Sequence, residues 1–116
     1  MAAARDPSLD LESVRELFEA STDFTIGLEE EFAIVDPESL ELEQRFEELY
    51  EACQADDLLA ESAAGELIAS EIEIRSGRSA SFGEATERQR EHRARLFALA
   101  EALGAGLAAT GTHPWA

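Results

Sequence analysis

The chain contains no lysine, and its 9 basic residues are all arginines. They stand against 26 acidic residues, which gives a formal net charge of −17 at pH 7. A surface of this sign repels nucleic acids and anionic membrane surfaces. The sequence therefore predicts neither nucleic acid nor a membrane as a partner. Net charge of this kind bears on solubility and association, and it does not define the fold.

Cysteine and long apolar runs are also scarce. Cys53 is the single cysteine, so the chain forms no internal disulfide. We expect Cys53 to be a packed residue, because no histidine lies nearby in sequence to activate it. No apolar run approaches membrane-spanning length, and residues 1–7 lack the basic and apolar regions of a signal peptide. These features predict a cytoplasmic chain of 116 residues with one domain at most.

The most informative stretch is 24–35, where three consecutive glutamates interrupt a β-strand pattern. Residues two apart in a strand share a face, so Glu29 and Glu31 lie together. The opposite face, broken only by Glu30, carries apolar side chains: Phe24, Ile26, Leu28, Phe32 and Ile34. Carboxylates roughly 7 Å apart can converge on a hard cation such as Mg²⁺. A solvated acidic edge strand has the same pattern, and both interpretations stay open.

Three segments have helical spacing. Residues 8–20 predict a short amphipathic helix, capped by Ser8 or Asp10 and packed against the sheet. Residues 38–59 predict a second helix that opens after the turn signal Asp36-Pro37, with one apolar stripe: Leu42, Phe46, Leu49 and Tyr50.

The third helix follows a capping box, in which Ser81 is the N-cap and Glu84 reaches back. It is predicted to end near Leu103, before Gly104. His92 lies on its apolar stripe, and we expect it to be a packing or capping histidine.

A second acidic strand is predicted in the latter half of 66–75. Ser70, Ile72 and Ile74 would face one way, and Glu71, Glu73 and Arg75 the other. Glu66 has the wrong parity to join Glu73 on one flat strand. It reaches that side only across a bulge or from a turn that leads into the strand. In the alternative interpretation this face is simply exposed, and Arg75 pairs with Glu73.

A third strand is predicted over 106–112, leading to His113. A strand that delivers a histidine to its tip is a common way to present a catalytic or binding group. Chain termini also fray, so the pattern alone leaves the role of this segment open.

Taken in order, these segments resemble the N-terminal part of a family 2 glutamate–cysteine ligase, and more closely its carboxylate–amine ligase branch. The resemblance rests on three strings: 25–32 with 35–37, Glu66-Leu67 with 70–73, and 111–115. It divides the chain into a helical extension, 1–23, and the N-terminal part of a catalytic domain, 24–116. The fold class that it implies is α+β, with antiparallel strands and flanking helices that form part of a glutamine synthetase-like catalytic domain.

The resemblance implies an ATP-dependent ligase that uses Mg²⁺ and joins glutamate to cysteine or another amine through an acyl phosphate. It assigns the metals to four residues: Glu29, Glu31, Glu66 and Glu73. Glu29 and Glu31 would thereby also hold the ATP phosphates. His113 would be catalytic, Thr112 and Arg75 would bind substrate, and Glu30 and Glu71 would be spacers.

Chains of this family are much longer, and this one resembles roughly the first third of such an enzyme. We therefore expect it to be inactive by itself unless a complementary chain supplies the rest, and a homo-oligomer stays open as well. The alternative function is a small acidic α/β module that binds a partner or divalent cations without catalysis. Glutamine substitutions at Glu29 and Glu31 separate the two hypotheses, because only a ligase loses activity with its fold retained.

Overall fold

The computed structural model describes residues 10–115, which form a four-stranded antiparallel sheet flanked by helices. The strands are β1 (Glu29–Val35), β2 (Ala63–Gly65), β3 (Glu71–Arg75) and β4 (Gly106–Ala108), in the spatial order β2-β3-β1-β4. The helices are α1 (Leu11–Glu19), α2 (Phe46–Gln54) and α3 (Phe82–Ala102). The predicted α+β class with antiparallel strands and flanking helices is confirmed.

The core lies between one face of the sheet and the helices α2 and α3. Alternate residues of β1 and β3 point into it, and its fully buried members are Phe32, Ile34, Leu49, Cys53, Leu59, Ile72, Ile74 and Leu96. Burial raises the pKa of the Cys53 thiol to about 11. The prediction that Cys53 is a packed residue is therefore confirmed, because a thiol with this pKa stays protonated at neutral pH.

Helix α3 begins and ends where the sequence predicted. Ser81 Oγ accepts a hydrogen bond from the Glu84 amide, while Glu84 reaches back to the amide of Ala80. The helix stops before Gly104, whose φ is 72°. His92 is buried on its inner face, with Nδ1 3.1 Å from the carbonyl oxygen of Arg75. It is a packing histidine, as predicted.

The predicted alternation of faces holds for β1 but fails before it. Glu30 points to the helical side of the sheet, where its Oε2 lies 3.3 Å from Nη1 of Arg93 in α3. The prediction for Phe24 is wrong, because its side chain is 96% exposed. Its left-handed backbone, with φ of 62°, turns the chain before the strand begins at Glu29.

The first helix forms as predicted, but its predicted packing against the sheet is wrong. The Asp10 side chain accepts hydrogen bonds from the amides of Glu12 and Ser13 at the start of α1. The alternative cap, Ser8, lies outside the described residues. None of the residues of α1 is buried, and Phe18 is 78% exposed. Helices α2 and α3 are the ones that cover the apolar face of the sheet within the described residues.

The predicted second helix is wrong at both ends, because α2 spans only Phe46–Gln54 and the residues up to Leu59 form turns. The Asp36 side chain accepts hydrogen bonds from the amides of Glu38 and Ser39 and forms a turn in place of a helix start. Leu40 then has a φ of 62°, which no α-helix contains, and Leu42 pairs with Val35 as an antiparallel bridge.

Two strands differ from prediction in extent. Strand β4 ends at Ala108, well before the predicted end at Thr112, and Gly111 has a left-handed φ of 67°. Strand β2 was missed, because Ala-Ala-Gly has neither the β-branched residues nor the alternation that indicates a strand. Gly65 in β2 has a packing reason to be glycine, since an added Cβ would lie 2.7 Å from Cζ of Phe46.

The Asp56 carboxylate stabilises the connection after α2. Its interactions are expected to make the stability of the folded protein depend on pH. Its Oδ2 lies 2.5 Å from Nε of Arg95, and its Oδ1 accepts hydrogen bonds from the amides of Leu58 and Leu59. The hydrogen bond with Arg95 is the main cause that holds the pKa of Asp56 below its ordinary value. A lowered folded-state pKa stabilises the protein above the unfolded pKa, about 3.9, and the contribution is lost as pH falls through the folded pKa.

Asp56→Asn is therefore expected to lower Tm at pH 7, with a difference from wild type that shrinks steadily below about pH 4. Asparagine keeps an acceptor for the turn, so the variant isolates the charge. Thermal unfolding followed by circular dichroism between pH 7 and pH 2 measures this. Asp57→Asn, at the exposed neighbouring position, is the control. An Asp56→Asn difference that stays constant with pH would contradict the assignment.

Candidate metal and substrate site

The site lies on the face of the sheet opposite the core, where strand register pairs the acidic residues. Glu31 of β1 lies directly across from Glu73 of β3. Glu29 pairs in the same way with Arg75, and Ala33 with Glu71. Like charges directly opposite each other destabilise a sheet. The Glu31–Glu73 pair is therefore a feature that the fold alone does not explain.

Glu66 joins this pair from the connection between β2 and β3. In the β2–β3 register Ala64 pairs with Glu73, and Glu66, two residues after Ala64, follows directly after the end of β2. One carboxylate oxygen from each of Glu31, Glu66 and Glu73 lies within 4.8 Å of the others. The turn alternative for Glu66 is the one that the structure bears out. We call these three side chains the carboxylate cluster.

Within the carboxylate cluster, the pKa values of Glu73 and Glu66 shift in opposite directions. Nε of Arg75 lies 2.5 Å from Oε1 of Glu73 and 3.6 Å from Oε1 of Glu29. The hydrogen bond from Arg75 holds the pKa of Glu73 below its ordinary value. The pKa of Glu66 is raised, first by its hydrogen bond with Glu73 and then by burial. The predicted Arg75–Glu73 pair is thus confirmed, and Glu73 stays ionised while Glu66 takes up a proton more readily.

The structure brings together three of the four residues predicted to bind metal. Glu29 shares their face, but its side chain is 64% exposed and lies beside Arg75. Its role in metal or ATP binding stays a prediction. The donor set of the cluster fits Mg²⁺, because all three groups are carboxylates and this ion prefers oxygen ligands.

A cleft of about 360 Å³ adjoins the carboxylate cluster. Glu31 borders it on the side of the cluster, and Thr112 and His113 border it from the C-terminal segment. The remaining side chains that line it include Leu42, Ile68 and Glu71. The two C-terminal residues predicted from the sequence to act near substrate thus share one cleft with a predicted metal ligand.

Glu71 is a residue of this cleft to which the resemblance gave no binding role. It was predicted to be a spacer, yet it lines the cleft beside Glu31. Burial and the charge of Glu31 raise the pKa of Glu71. The sequence already placed Glu71 on the same face as Glu73 and Arg75, because these residues follow one another at intervals of two along the strand.

His113 is held by the backbone on both sides of its ring. Its Nε2 donates to the carbonyl oxygen of Leu40 at 2.7 Å, and its Nδ1 accepts from the amide of Trp115 at 3.4 Å. The imidazole is buried and meets the Trp115 ring edge-on at 4.7 Å between centroids. In this structure the ring ties the segment with Thr112 to the turn at Leu40, and its catalytic role stays a prediction.

The fold and the site define a class of protein: an α+β domain whose open sheet face presents converging carboxylates suited to a hard cation. The chain belongs to glutamate-cysteine ligase family 2 (GCS2), whose family model matches residues 25–116. It is therefore a member of a ligase family, as the resemblance of its motifs implied.

Curated relatives support the same family. Over 92 residues the chain is 40% identical to "Putative glutamate--cysteine ligase 2-1" of Rubrobacter xylanophilus, covering 79% of this chain and 24% of that protein. It is 40% identical over 98 residues to "Putative glutamate--cysteine ligase 2-3" of the same organism, covering 84% and 27%. It is 38% identical over 92 residues to "Putative glutamate--cysteine ligase 2" of Sorangium cellulosum, covering 79% and 24%. The chain thus spans about a quarter of the length of these relatives.

No solved structure matches this chain at a meaningful level of similarity. Within residues 10–115, no helix has both the length and the apolar character needed to cross a membrane.

Proposed function

We propose that this chain forms the N-terminal part of an ATP-dependent carboxylate–amine ligase of the glutamate–cysteine ligase type. The reaction transfers the γ-phosphoryl group of ATP to a carboxylate of glutamate, which releases ADP and forms an acyl phosphate. The amino group of cysteine or another amine then displaces phosphate and forms an amide. Family membership and the names of the relatives support this reaction type.

The single observation that carries the proposal is the convergence of Glu31, Glu66 and Glu73 from three different segments of the chain. Like-charged side chains that face each other at this distance cost stability, so a role in binding a cation is a physical reason for the arrangement. These three residues would hold Mg²⁺, with Glu29 beside them. When bound, Mg²⁺–ATP supplies the phosphoryl group, and the ion offsets part of the charge of its phosphates.

The other residues of the site have binding and positioning roles in this proposal. Arg75 keeps Glu73 ionised and offers a guanidinium group for a substrate carboxylate. Thr112 contributes a hydroxyl to the cleft next to Glu31, and His113 holds that segment in position. Activity requires structural elements like those in the remaining three quarters of the relatives.

Metal binding is the part of the proposal that the chain itself can test. Adding Mn²⁺, which suits carboxylate ligands as Mg²⁺ does, is expected to raise the thermal stability of the wild-type chain. At 100-fold excess over Kd the gain is about 2.7 kcal/mol. Glu73→Gln should abolish the response.

Glu30→Gln is the matched control for that experiment. It also removes one carboxylate charge from the sheet, but on the opposite face, where Glu30 lies beside Arg93. It is expected to keep the response to Mn²⁺. A wild-type chain whose Tm is unchanged by saturating Mn²⁺ and Mg²⁺ would contradict the proposed metal site.

The reaction itself is tested in a chimera. In it, residues 25–116 of this chain replace the matching segment of the Rubrobacter xylanophilus relative that is 40% identical over 92 residues. We expect phosphate release that depends on ATP, glutamate and an amine together. A folded chimera that binds Mn²⁺ but releases no phosphate with any amine, when the parent relative does so under the same conditions, would contradict the ligase assignment.

A further inference from the structure

Phe46, the first residue of α2, contacts both ends of the connection that carries Glu66. At the start of the connection, the aromatic ring lies so close to Gly65 that an added Cβ would be 2.7 Å from Cζ. At the other end, the Phe46 amide donates a hydrogen bond of 3.0 Å to the carbonyl oxygen of Ala69. One residue of a helix thus spans the connection from which a predicted metal ligand projects.

Glu66 depends on such support more than the other two carboxylates do. Glu31 and Glu73 lie within β1 and β3, where the strand register fixes their positions. Glu66 lies between β2 and β3, and residues 66–69 are all exposed. The side chains of this connection are therefore not held by burial, and Phe46 is an aromatic residue that packs against its start.

Phe46 is itself well supported. Its ring stacks on that of Tyr50, one turn later in α2, with 5.1 Å between centroids and 21° between planes. Both rings pack against the buried core cluster. Because Phe46 is packed against the core, its ring can hold the connection between β2 and β3 in a fixed position relative to α2.

We propose that the Phe46–Gly65 contact positions Glu66 for cation binding, so that Phe46 and Gly65 are positioning residues of the carboxylate cluster. This inference rests on the proposed function, since it concerns the same metal site. Glycine at position 65 allows this contact, because an added Cβ would clash with the Phe46 ring and force the ring or the connection to shift. The contact fixes the distance from Glu66 to Glu31 and Glu73, which decides whether one ion can contact all three.

Phe46→Leu is the first test. Leucine is compatible with the helix and with the backbone hydrogen bond to Ala69, but it lacks the aromatic ring that packs against Gly65. The affinity of the full chain for Mn²⁺ alone, measured by calorimetry, is expected to fall by roughly tenfold or more, the usual cost of disturbing residues that orient metal ligands. Leu99→Ala is the control, because Leu99 packs against the same core from α3. It should lower Tm comparably and leave the Mn²⁺ affinity unchanged.

Gly65→Ala is the second test, and it changes the other side of the contact. It too is expected to weaken Mn²⁺ binding by roughly tenfold. If both substitutions act through one contact, the double variant should bind about as weakly as the weaker single variant, and not a hundredfold more weakly than wild type. Fully additive losses would overturn the inference, because they would show two independent effects.

A measurement without metal separates this inference from the metal site. Backbone order parameters from ¹⁵N relaxation are expected to fall at residues 66–69 in Phe46→Leu and to stay unchanged there in Leu99→Ala. Unchanged order in Phe46→Leu, or wild-type Mn²⁺ affinity in that variant, overturns the positioning role while the proposed function stands. If the wild-type chain binds no Mn²⁺, the proposed metal site fails and the positioning role fails with it.

Discussion

Replacing Glu31 by glutamine in the chimera is expected to lower kcat for ATP-dependent phosphate release by roughly 10²-fold or more, the range found when a group that stabilises developing charge is removed. Glu31 is the member of the carboxylate cluster that also borders the cleft with Thr112 and His113. Its loss removes a ligand charge at the point where metal and substrate would meet. The substitution keeps the size of the side chain, so the fold should be retained.

Glu29→Gln is the informative comparison for that experiment. Glu29 lies on the same strand and the same face, but it lies beside Arg75 and outside the cluster. We expect a smaller loss of kcat than for Glu31→Gln. Equal losses would show that Glu29 is a full ligand, as the sequence predicted. Wild-type activity in Glu31→Gln, with the chimera folded, would contradict the role of the cluster.

Phe32→Ala is expected to cost about 3–5 kcal/mol of the free energy of unfolding. Phe32 is fully buried at the centre of β1, and its ring meets that of Phe97 edge-on at 5.4 Å between centroids. The guanidinium carbon of Arg93 lies 5.6 Å from the centroid of the same ring. Removing the ring would leave a cavity directly behind the carboxylate cluster. Urea unfolding followed by circular dichroism measures the loss.

Phe97→Ala is the control for Phe32→Ala, because it removes the other ring of the same aromatic pair at a position that is 37% exposed. Its loss should be well below that of Phe32→Ala, since an exposed ring gains less from burial and leaves no closed cavity. Similar losses for both variants would show that the aromatic pair, and not burial of Phe32, accounts for the stability.

Strand parity predicted much of the site. The two-residue repeat put Glu29 with Glu31, and Glu71 with Glu73 and Arg75, and the structure has these groupings. Parity could not predict that Glu31 lies across from Glu73, because register depends on which distant strands pair. The position of Glu66 likewise depends on β2, whose Ala-Ala-Gly sequence carries no strand signal.

The helices show where local pattern stops being informative. Capping chemistry correctly predicted both ends of α3, because Ser81 and Gly104 act on their immediate neighbours. The start of α2 was wrong because Asp36 forms a turn and Leu40 takes a left-handed conformation, and apolar spacing records neither. For α1, periodicity predicted the helix but not its partner, since an apolar face does not specify what covers it.

The measurement that tests the central claim most directly is an anomalous difference map from crystals of the chain soaked in Mn²⁺. We expect a peak within coordination distance of carboxylate oxygens of Glu31, Glu66 and Glu73. The same soak of Glu73→Gln should show no peak there. A wild-type map without a peak at these three residues, or with its strongest peak on other acidic side chains, would contradict the account.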